Sequence, residues 1–224
     1  MVAKVSLVLP NIEEEGIFQI IRDSRRLFGS GLEIIVVDRS SAGFVNRLRK
    51  TGVRIIRQRS KGVENAVMEG LREATGDILL STDCDNTHET EGLRRAADLV
   101  RSGKADFVMG NRLNRLQKGA MGAYLRFGNR ALSLMFSIIY MRRLHDVLSG
   151  LFAMDREAFE SIRHVKPYRL GIAFFAAELA KRGYRLRDID IKYYIREHGQ
   201  SKLAKSKLLW GMRMAWLMLA KRFS

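Results

Sequence analysis

The sequence predicts an α/β fold, a mainly parallel central sheet flanked by helices in three layers. Two observations carry this. Short apolar runs of strand length alternate with amphipathic runs of helix length, the order that parallel strands joined by helical crossovers require. Several of the apolar runs also stop on polar or charged residues, Asp38, Asp83 and Gly110-Asn111-Arg112, and ligands of such sheets sit at the carboxyl ends of the strands.

The elements follow in order. Val5–Leu9 is an apolar run closed by Pro10 and reads as a buried strand. Residues 13–28 are helix-like, with Ile17, Ile20, Ile21 and Leu27 roughly on one face. Glu33–Val37 is a second strand ending at Asp38, and Val53–Ile56 a third. Residues 62–74 suit a helix closed by Gly76. Asp77–Thr82 is a fourth strand, 89–102 an amphipathic helix and Ala105–Met109 a fifth strand. Residues 123–144 are helical and rich in Leu, Met, Phe and Ile; Leu151–Met154 fits a strand. Residues 171–182 form a helix, Leu186–Tyr194 a strand with alternating character, and 203–223 a C-terminal helix.

The chain of 224 residues is 46% apolar, enough for one sizeable core. With two prolines and no Ser/Gly-rich tract, nothing marks a linker. The organisation expected is one domain over 1–203 and an appended helix over 204–224. The single cysteine, Cys84, excludes an internal disulfide framework and fits a reducing compartment. MVAKVSLVLP reads as the start of a strand rather than a leader. Forty Lys+Arg against 24 Asp+Glu give a net charge of +16, which attracts nucleic acid, anionic membrane or phosphorylated small molecules without choosing among them.

Asp83-Cys84-Asp85 is the sharpest chemical signal. In an extended segment residues i and i+2 point the same way, so the two carboxylates can converge on one hard cation, Mg²⁺ or Mn²⁺, shared with substrate phosphates. The same residues also suit a turn and a helix N-cap. Arg59-Ser-Lys61-Gly62 leads into a helix N-terminus that can hold an anion, or is a solvated basic loop. Arg112 can fork onto phosphate oxygens or lie exposed. Arg196 to Leu203 gathers arginine, glycine, serine and lysine in a loop suited to anions, or one that is merely basic. No zinc spacing and no nucleophile elbow is present.

Taken in order, these pieces resemble the GT-A fold, family 2 glycosyltransferases, in particular the polyprenyl-phosphate branch typified by dolichol-phosphate mannose synthase. Leu7-Val-Leu-Pro10 with Glu13-Glu-Glu-Gly-Ile17 is similar to the opening P-x-x-N-E segment, one residue short. Ile35-Val-Val-Asp38, Lys61-Gly62 with Ala66 and Gly70, Ala74-Thr-Gly76-Asp77, Asp83-Cys-Asp85 and Met109-Gly-Asn-Arg112 follow the family's order. Arg126 with Asn129, Asp146-Val-Leu-Ser149-Gly150-Leu-Phe152 and Ser201-Lys202-Leu203 complete it.

The resemblance implies the roles. Pro10, Glu13 and Asp38 would line the nucleoside, with Lys61 near that pocket. Asp83 and Asp85 would hold Mg²⁺ or Mn²⁺ on the donor diphosphate. Arg112, Arg126, Arg196 and Lys202 would gather donor and acceptor phosphates, with Ser149 on the acceptor side. Catalysis would rest on Asp85, Arg112, Arg196 and Lys202. The implied reaction is inverting transfer of a sugar to a polyprenyl or dolichyl phosphate, with GDP-mannose as first donor and UDP-sugars behind it. An ionised lipid phosphate attacks without a general base, and Asp146 either orients the acceptor or caps the next strand. The sequence departs from the family at Arg39, where a second acid is usual, at Ala42-Gly43 and at Ile12. Thr87 stands where mannose synthases often have a glutamine ligand.

The C-terminal segment Leu208–Ala220 is strongly apolar but short and broken by Arg213, whereas a spanning helix needs roughly 20 apolar residues. With Trp210, Trp216 and surrounding lysines and arginines it reads as an amphipathic helix on a membrane surface, against a small membrane-anchoring partner, or on the protein's own core. The expected location is peripheral, on the cytoplasmic face of a membrane. Competing readings are transfer to a hydroxyl acceptor, an inactive scaffold subunit, and a nucleic-acid-binding domain. The last explains the charge but not Asp83 and Asp85, and no nucleic-acid-binding motif is present, so no nucleic-acid partner is expected.

Overall fold

A computed structural model describes residues 3–196 and 207–222. The element order is β1 (Val5–Asn11), α1 (Ile17–Phe28), β2 (Glu33–Asp38), α2 (Ala42–Arg49), β3 (Arg54–Arg57), α3 (Val63–Glu73), β4 (Ile78–Ser81), α4 (Glu91–Arg101), β5 (Phe107–Asn111), α5 (Ala123–Tyr140), β6 (Phe152–Asp155), α6 (Arg156–Ile162), α7 (Ala173–Lys181), β7 (Leu186–Asp190) and α8 (Lys207–Ala220). The sheet runs β3-β2-β1-β4-β6-β5-β7. All pairings are parallel except the two made by β6, which lies antiparallel between β4 and β5. The predicted α/β sheet is therefore present, with one reversed strand.

Alternation along each strand divides the core into two layers. On β1, Leu7 and Leu9 face α1 and α4, whereas Val8 faces the side of α3. On the second side Phe107, Phe152 and Phe175 stack in series with centroids 5.3 Å apart. Helix α3 lies so close to the sheet that a Cβ on Gly70 would stand 2.4 Å from Val8 Cγ1. Glycine at that position sets how tightly the helix packs.

Some expectations are corrected. Helix α1 begins at Ile17, not 13, because Glu13 has φ +53°, outside the helical region. Gly76 does not close α3, which ends at Glu73 with Ala74 as its C-cap; the Gly76 N–H donates instead to Ser6 Oγ at 2.8 Å. Two helices go unread in the sequence. Helix α2 carries Gly43 and anchors only Phe44 and Leu48, and seven-residue α6 is marked chiefly by its cap, where Asp155 accepts from the Glu157 N–H at 2.9 Å. The inner face of α8 (Met214, Leu217, Met218) is buried in the same core, and Tyr140 Oη donates to the Met218 carbonyl at 3.1 Å. Lys202 and the 203/204 boundary lie outside the described residues. Among the described residues no helix is long and apolar enough to cross a membrane.

Three carboxylates, Glu33, Asp106 and Glu178, are held below the ordinary range. Arg185 forks onto Asp106 and lowers it. Burial alone would raise Glu178, but hydrogen bonds from Arg182, Tyr168 and Lys181 outweigh it. A depressed carboxylate contributes stability that is present above its unfolded pKa and lost as pH falls through the lower, folded value. The melting temperature is therefore expected to hold between about pH 7 and 5 and to drop below about pH 4. Circular-dichroism melts check this, and Glu178→Gln should make the acid limb shallower.

Candidate active site

Four parallel strands end on one edge of the sheet and deliver the polar residues. β1 ends at Pro10 and Asn11, β2 at Asp38, and β5 at Asn111 beside Arg112. The chain leaving β4 carries Asp83 and Asp85. A sequence of buried strands broken by polar residues thus folds into an apolar floor with a charged rim.

On the β1–β2 side the contacts form one network. The buried Asp38 carboxylate accepts from Asn11 Nδ2 at 2.8 Å, from the Ser40 N–H at 2.8 Å and from Ser40 Oγ at 2.7 Å. The Glu13 N–H donates to Ser40 Oγ at 2.8 Å, and Glu13 Oε1 accepts from the Ser41 N–H at 2.6 Å. Glu13 holds its left-handed backbone within this network. Asp38 is thus tied into the floor, and Pro10 and Glu13 form its rim. The next loop begins alongside: the Gln58 N–H donates to the Asp38 carbonyl at 3.0 Å. Glu69 accepts from the Arg59 and Ser60 N–H groups at 2.8 Å each, which fixes the loop and leaves Lys61 exposed near its tip.

Asp83 and Asp85 differ in their surroundings. Asp85 Oδ1 accepts from Thr87 Oγ1 at 2.7 Å and lies 3.6 Å, through Oδ2, from an Arg196 nitrogen that also meets Glu14 at 2.7 Å. Asp83 sits in a recess with 38% of its side chain open. Loss of surrounding water and the Asp85 charge raise its carboxyl to about 6, against the pull of Arg112 and Arg196. Among the described residues no hydrogen-bond donor is seated on Asp83, so this carboxylate has oxygen ligands to offer a cation. No cluster of three His, Cys, Asp or Glu suited to a metal exists among the described residues. The residues that could hold a divalent ion here are the carboxylates Asp83 and Asp85, with the other positions open to phosphate oxygens and water.

Gly150 makes this recess. A Cβ there would stand 2.3–2.4 Å from the Asp83 carboxyl atoms. Gly150→Ala is expected to push Asp83 aside and to lower turnover by about 10²-fold, the effect of misplacing a catalytic group by roughly 1 Å. Turnover against Mn²⁺ concentration checks it, and an unchanged profile would contradict it.

Two residues differ from their sequence-derived roles, and a third, Arg126, is placed away from the carboxylates. Arg112 was expected as a fork for phosphates, but its fork is spent: Nε and Nη2 donate to Asp146 at 2.6 and 2.9 Å, and its own N–H donates to Asp146 at 3.1 Å. Its guanidinium lies 5.4 Å from the Tyr193 ring centroid, and both Arg112 and Asp146 are buried. Asp146 is therefore the anchor of Arg112, not the cap of the next strand. Ser149 was expected on the acceptor side but is fully buried, its hydroxyl accepting from the Leu151 N–H at 3.4 Å. It shapes the turn that carries Gly150. Arg126 stands apart from the carboxylates, in the first turn of α5. It borders a cleft of about 410 Å³ with Lys118, Phe127 and Arg130, and its buried Nε has no partner. Lys202 is outside the described residues.

Sequence reasoning missed Glu14, Gly150 and His88. His88 follows Asp85 by three residues, a spacing that was available. Its ring is buried, 5.3 Å from that of Tyr193, and Nδ1 is 4.0 Å from Asp83. Burial first, then Arg112, lowers its pKa to about 3, so the ring is neutral. A larger cleft of about 850 Å³ opens beside Asp85, Asn86 and His88.

Comparison with known proteins gives the family and the fold. The model of the family described as "Glycosyl transferase family 2" matches residues 6–163. A dolichyl-phosphate hexose transferase of Haloferax volcanii is 31% identical over 193 residues, covering 85% of this chain and 82% of that protein. A dolichol-phosphate mannosyltransferase of Pyrococcus furiosus is 28% identical over 217 residues; the match covers 89% of this chain but only 59% of that protein. Among solved structures, glucosyl-3-phosphoglycerate synthase from Mycobacterium tuberculosis in complex with UDP superposes with a TM-score of 0.71 at 19% identity, covering 99% of this chain and 80% of that one. Mannosyl-3-phosphoglycerate synthase from Rubrobacter xylanophilus gives 0.68 at 20% identity, covering 98% and 73%. These two likenesses establish the GT-A architecture.

Proposed function

The chain belongs to glycosyl transferase family 2, and from that premise we propose that it transfers a hexose, with inversion, from a nucleotide sugar to the phosphate of a polyprenyl or dolichyl lipid. The observation that carries the reading is the pair Asp83 and Asp85 at the end of β4, open to a cation, in a chain similar to a dolichyl-phosphate hexose transferase. GDP-mannose is the first donor, with UDP-sugars as alternatives. Because the acceptor is a lipid, the enzyme works at a membrane surface, on its cytoplasmic face.

Pro10, Glu13 and Asp38 line the nucleoside, and Lys61 approaches it from the next loop. Asp83 and Asp85 hold Mg²⁺ or Mn²⁺, which would supply stabilisation of charge on the departing nucleoside diphosphate. Asp146 fixes Arg112, and Arg112 keeps a positive wall beside Asp83. Arg196 balances Asp85 and Glu14 and meets the donor phosphates, a task that the family resemblance gives also to Lys202. Arg126, with Arg130 and Lys118, receives the acceptor phosphate in the smaller cleft. An ionised phosphate carries no proton to be removed, so positioning the two anions is the protein's main task.

Thermal shift with GDP-mannose, UDP-glucose and UDP-N-acetylglucosamine, each with and without Mn²⁺, tests the donor side. A ligand that binds only the folded state raises the melting temperature, by about 2.7 kcal/mol of stability at 100 times Kd. A metal-dependent rise with one donor is expected. No rise with any donor would favour the inactive-scaffold reading.

A further inference from the structure

The nucleoside end of the site lies where β1, β2 and β3 end, and its hydrogen-bonding groups are unevenly used. The Asp38 carboxylate takes one hydrogen bond from Asn11 and two from Ser40 and is 1% exposed. It braces the floor and has no face to offer a base. Residues 39–61 carry lysines and arginines throughout and no Asp or Glu. Arg39, Arg57, Arg59 and Lys61 stand exposed at this end, and among the described residues none of them makes an ion pair.

Arg39 has the central place among these cations. Its backbone N–H donates to the Asn11 carbonyl at 3.2 Å, at the end of β1, and the Asp38 carbonyl just before it accepts from Gln58, at the start of the loop after β3. Arg57 already gives Nη1 to the Ser40 carbonyl at 3.2 Å, whereas the Arg39 guanidinium has no hydrogen bond among the described residues. The carboxylate that remains open beside it is Glu13. Its Oε1 is held by the Ser41 N–H, and Oε2 takes no hydrogen bond among the described residues. Glu13 keeps a left-handed backbone, φ +53°, and Ser40 and Ser41 hold it there. Such strain persists where the surroundings over-determine it, and it gathers at ligand clamps. An unused fork of donors and an unused carboxylate oxygen thus meet at one turn, residues 39–41.

We propose that Arg39 and Glu13 select the base of the donor and that the base is guanine. Guanine presents two neighbouring acceptors, O6 and N7, which take an arginine fork. On its next edge it presents two neighbouring donors, N1–H and N2–H, which suit a carboxylate. Uracil sets O4 beside the N3–H donor and adenine sets N7 beside an amino donor, so neither offers a pair of acceptors. Cytosine has the acceptor pair O2 and N3 but no pair of donors on separate atoms. Among the four common bases guanine alone answers both groups. The assignment rests on the nucleotide-sugar reading above and deepens it, by naming the residues that set donor choice.

Calorimetric titration with GDP, UDP, CDP and ADP in the presence of Mn²⁺ tests it. GDP is expected to bind about tenfold or more tightly than the other three. On the unaltered chain, 7-deaza-GDP, which lacks N7, and IDP, which lacks the 2-amino group, should each bind about tenfold more weakly than GDP, the effect of one lost hydrogen bond to a charged group. Arg39→Ala removes an exposed side chain and should keep the wild-type melting temperature. It should weaken GDP by about tenfold or more and bind GDP and 7-deaza-GDP alike, while still preferring GDP to IDP. UDP, CDP or ADP bound as tightly as GDP, an analogue bound as tightly as GDP by the wild type, or an unchanged gap between GDP and 7-deaza-GDP in Arg39→Ala would overturn the proposal. If another nucleotide binds most tightly, the guanine assignment falls and the transferase reading stands. If none of the four binds, the donor reading falls and the assignment with it.

Discussion

Asp85→Ala is expected to lower turnover by about 10³-fold while leaving the protein folded, in line with the loss of a group that stabilises charge developing on a leaving group. The residue supplies half of the paired carboxylate, and Thr87 and Arg196 fix its orientation. Its removal also relieves the repulsion that helps raise Asp83. The melting temperature without metal should therefore hold or rise slightly, and the stabilisation given by Mn²⁺ with donor should disappear. Steady-state rates and melts on the same preparations separate the two effects. Retained turnover would remove the carboxylate pair from the chemistry. Collapse of the fold would make Asp85 structural.

Asp146→Ala is expected to have the largest effect on stability. Asp146 is fully buried and takes three hydrogen bonds from Arg112, which is itself buried. Truncating one partner leaves an unpaired guanidinium in the interior, a loss of about 3–5 kcal/mol. For a chain of this size that corresponds to a fall of roughly 10 °C in melting temperature. Removing both charges, as Asp146→Leu with Arg112→Met, should restore much of the loss, because the unpaired charge rather than the missing contact is the costly term. Thermal melts of the single and double variants decide it. A single variant as stable as the wild type would mean that Arg112 finds water or another acceptor.

Much of the fold was legible because its strands are apolar runs with a single period. Val5–Leu9, Glu33–Val37 and Asp77–Thr82 needed no partner to be recognised, and each runs at or near its observed bounds. What could not be read was pairing. Nothing local distinguishes β6, four residues lying antiparallel between β4 and β5, from a parallel strand. Short helices such as α6 are fixed by a cap and by what they cover rather than by a pattern of their own.

The site divides in the same way. Asp83 and Asp85 are visible because a one-residue spacing in an extended chain is itself geometry. Arg112 and Asp146 are separated by 34 positions, and no spacing rule says that one consumes the other. Ser149 sits in a motif whose resemblance suggested a place on the acceptor side, and Gly150 follows it there without an assigned role. Their work is steric instead: a buried hydroxyl shapes the turn, and a missing side chain lets Asp83 in. Three-dimensional proximity also brings Glu14 and His88 to the carboxylates, for which composition gives no hint.

The most direct measurement is transfer itself. Labelled GDP-mannose and a panel of UDP-sugars would be incubated with a polyprenyl phosphate and Mn²⁺ or Mg²⁺, and the organic-phase product identified by mass spectrometry. The predicted result is a polyprenyl-phosphate hexose formed from one donor, dependent on divalent metal and absent with Asp85→Ala. Transfer only to a hydroxyl acceptor, or no product from any donor by a protein that binds none of them, would contradict it.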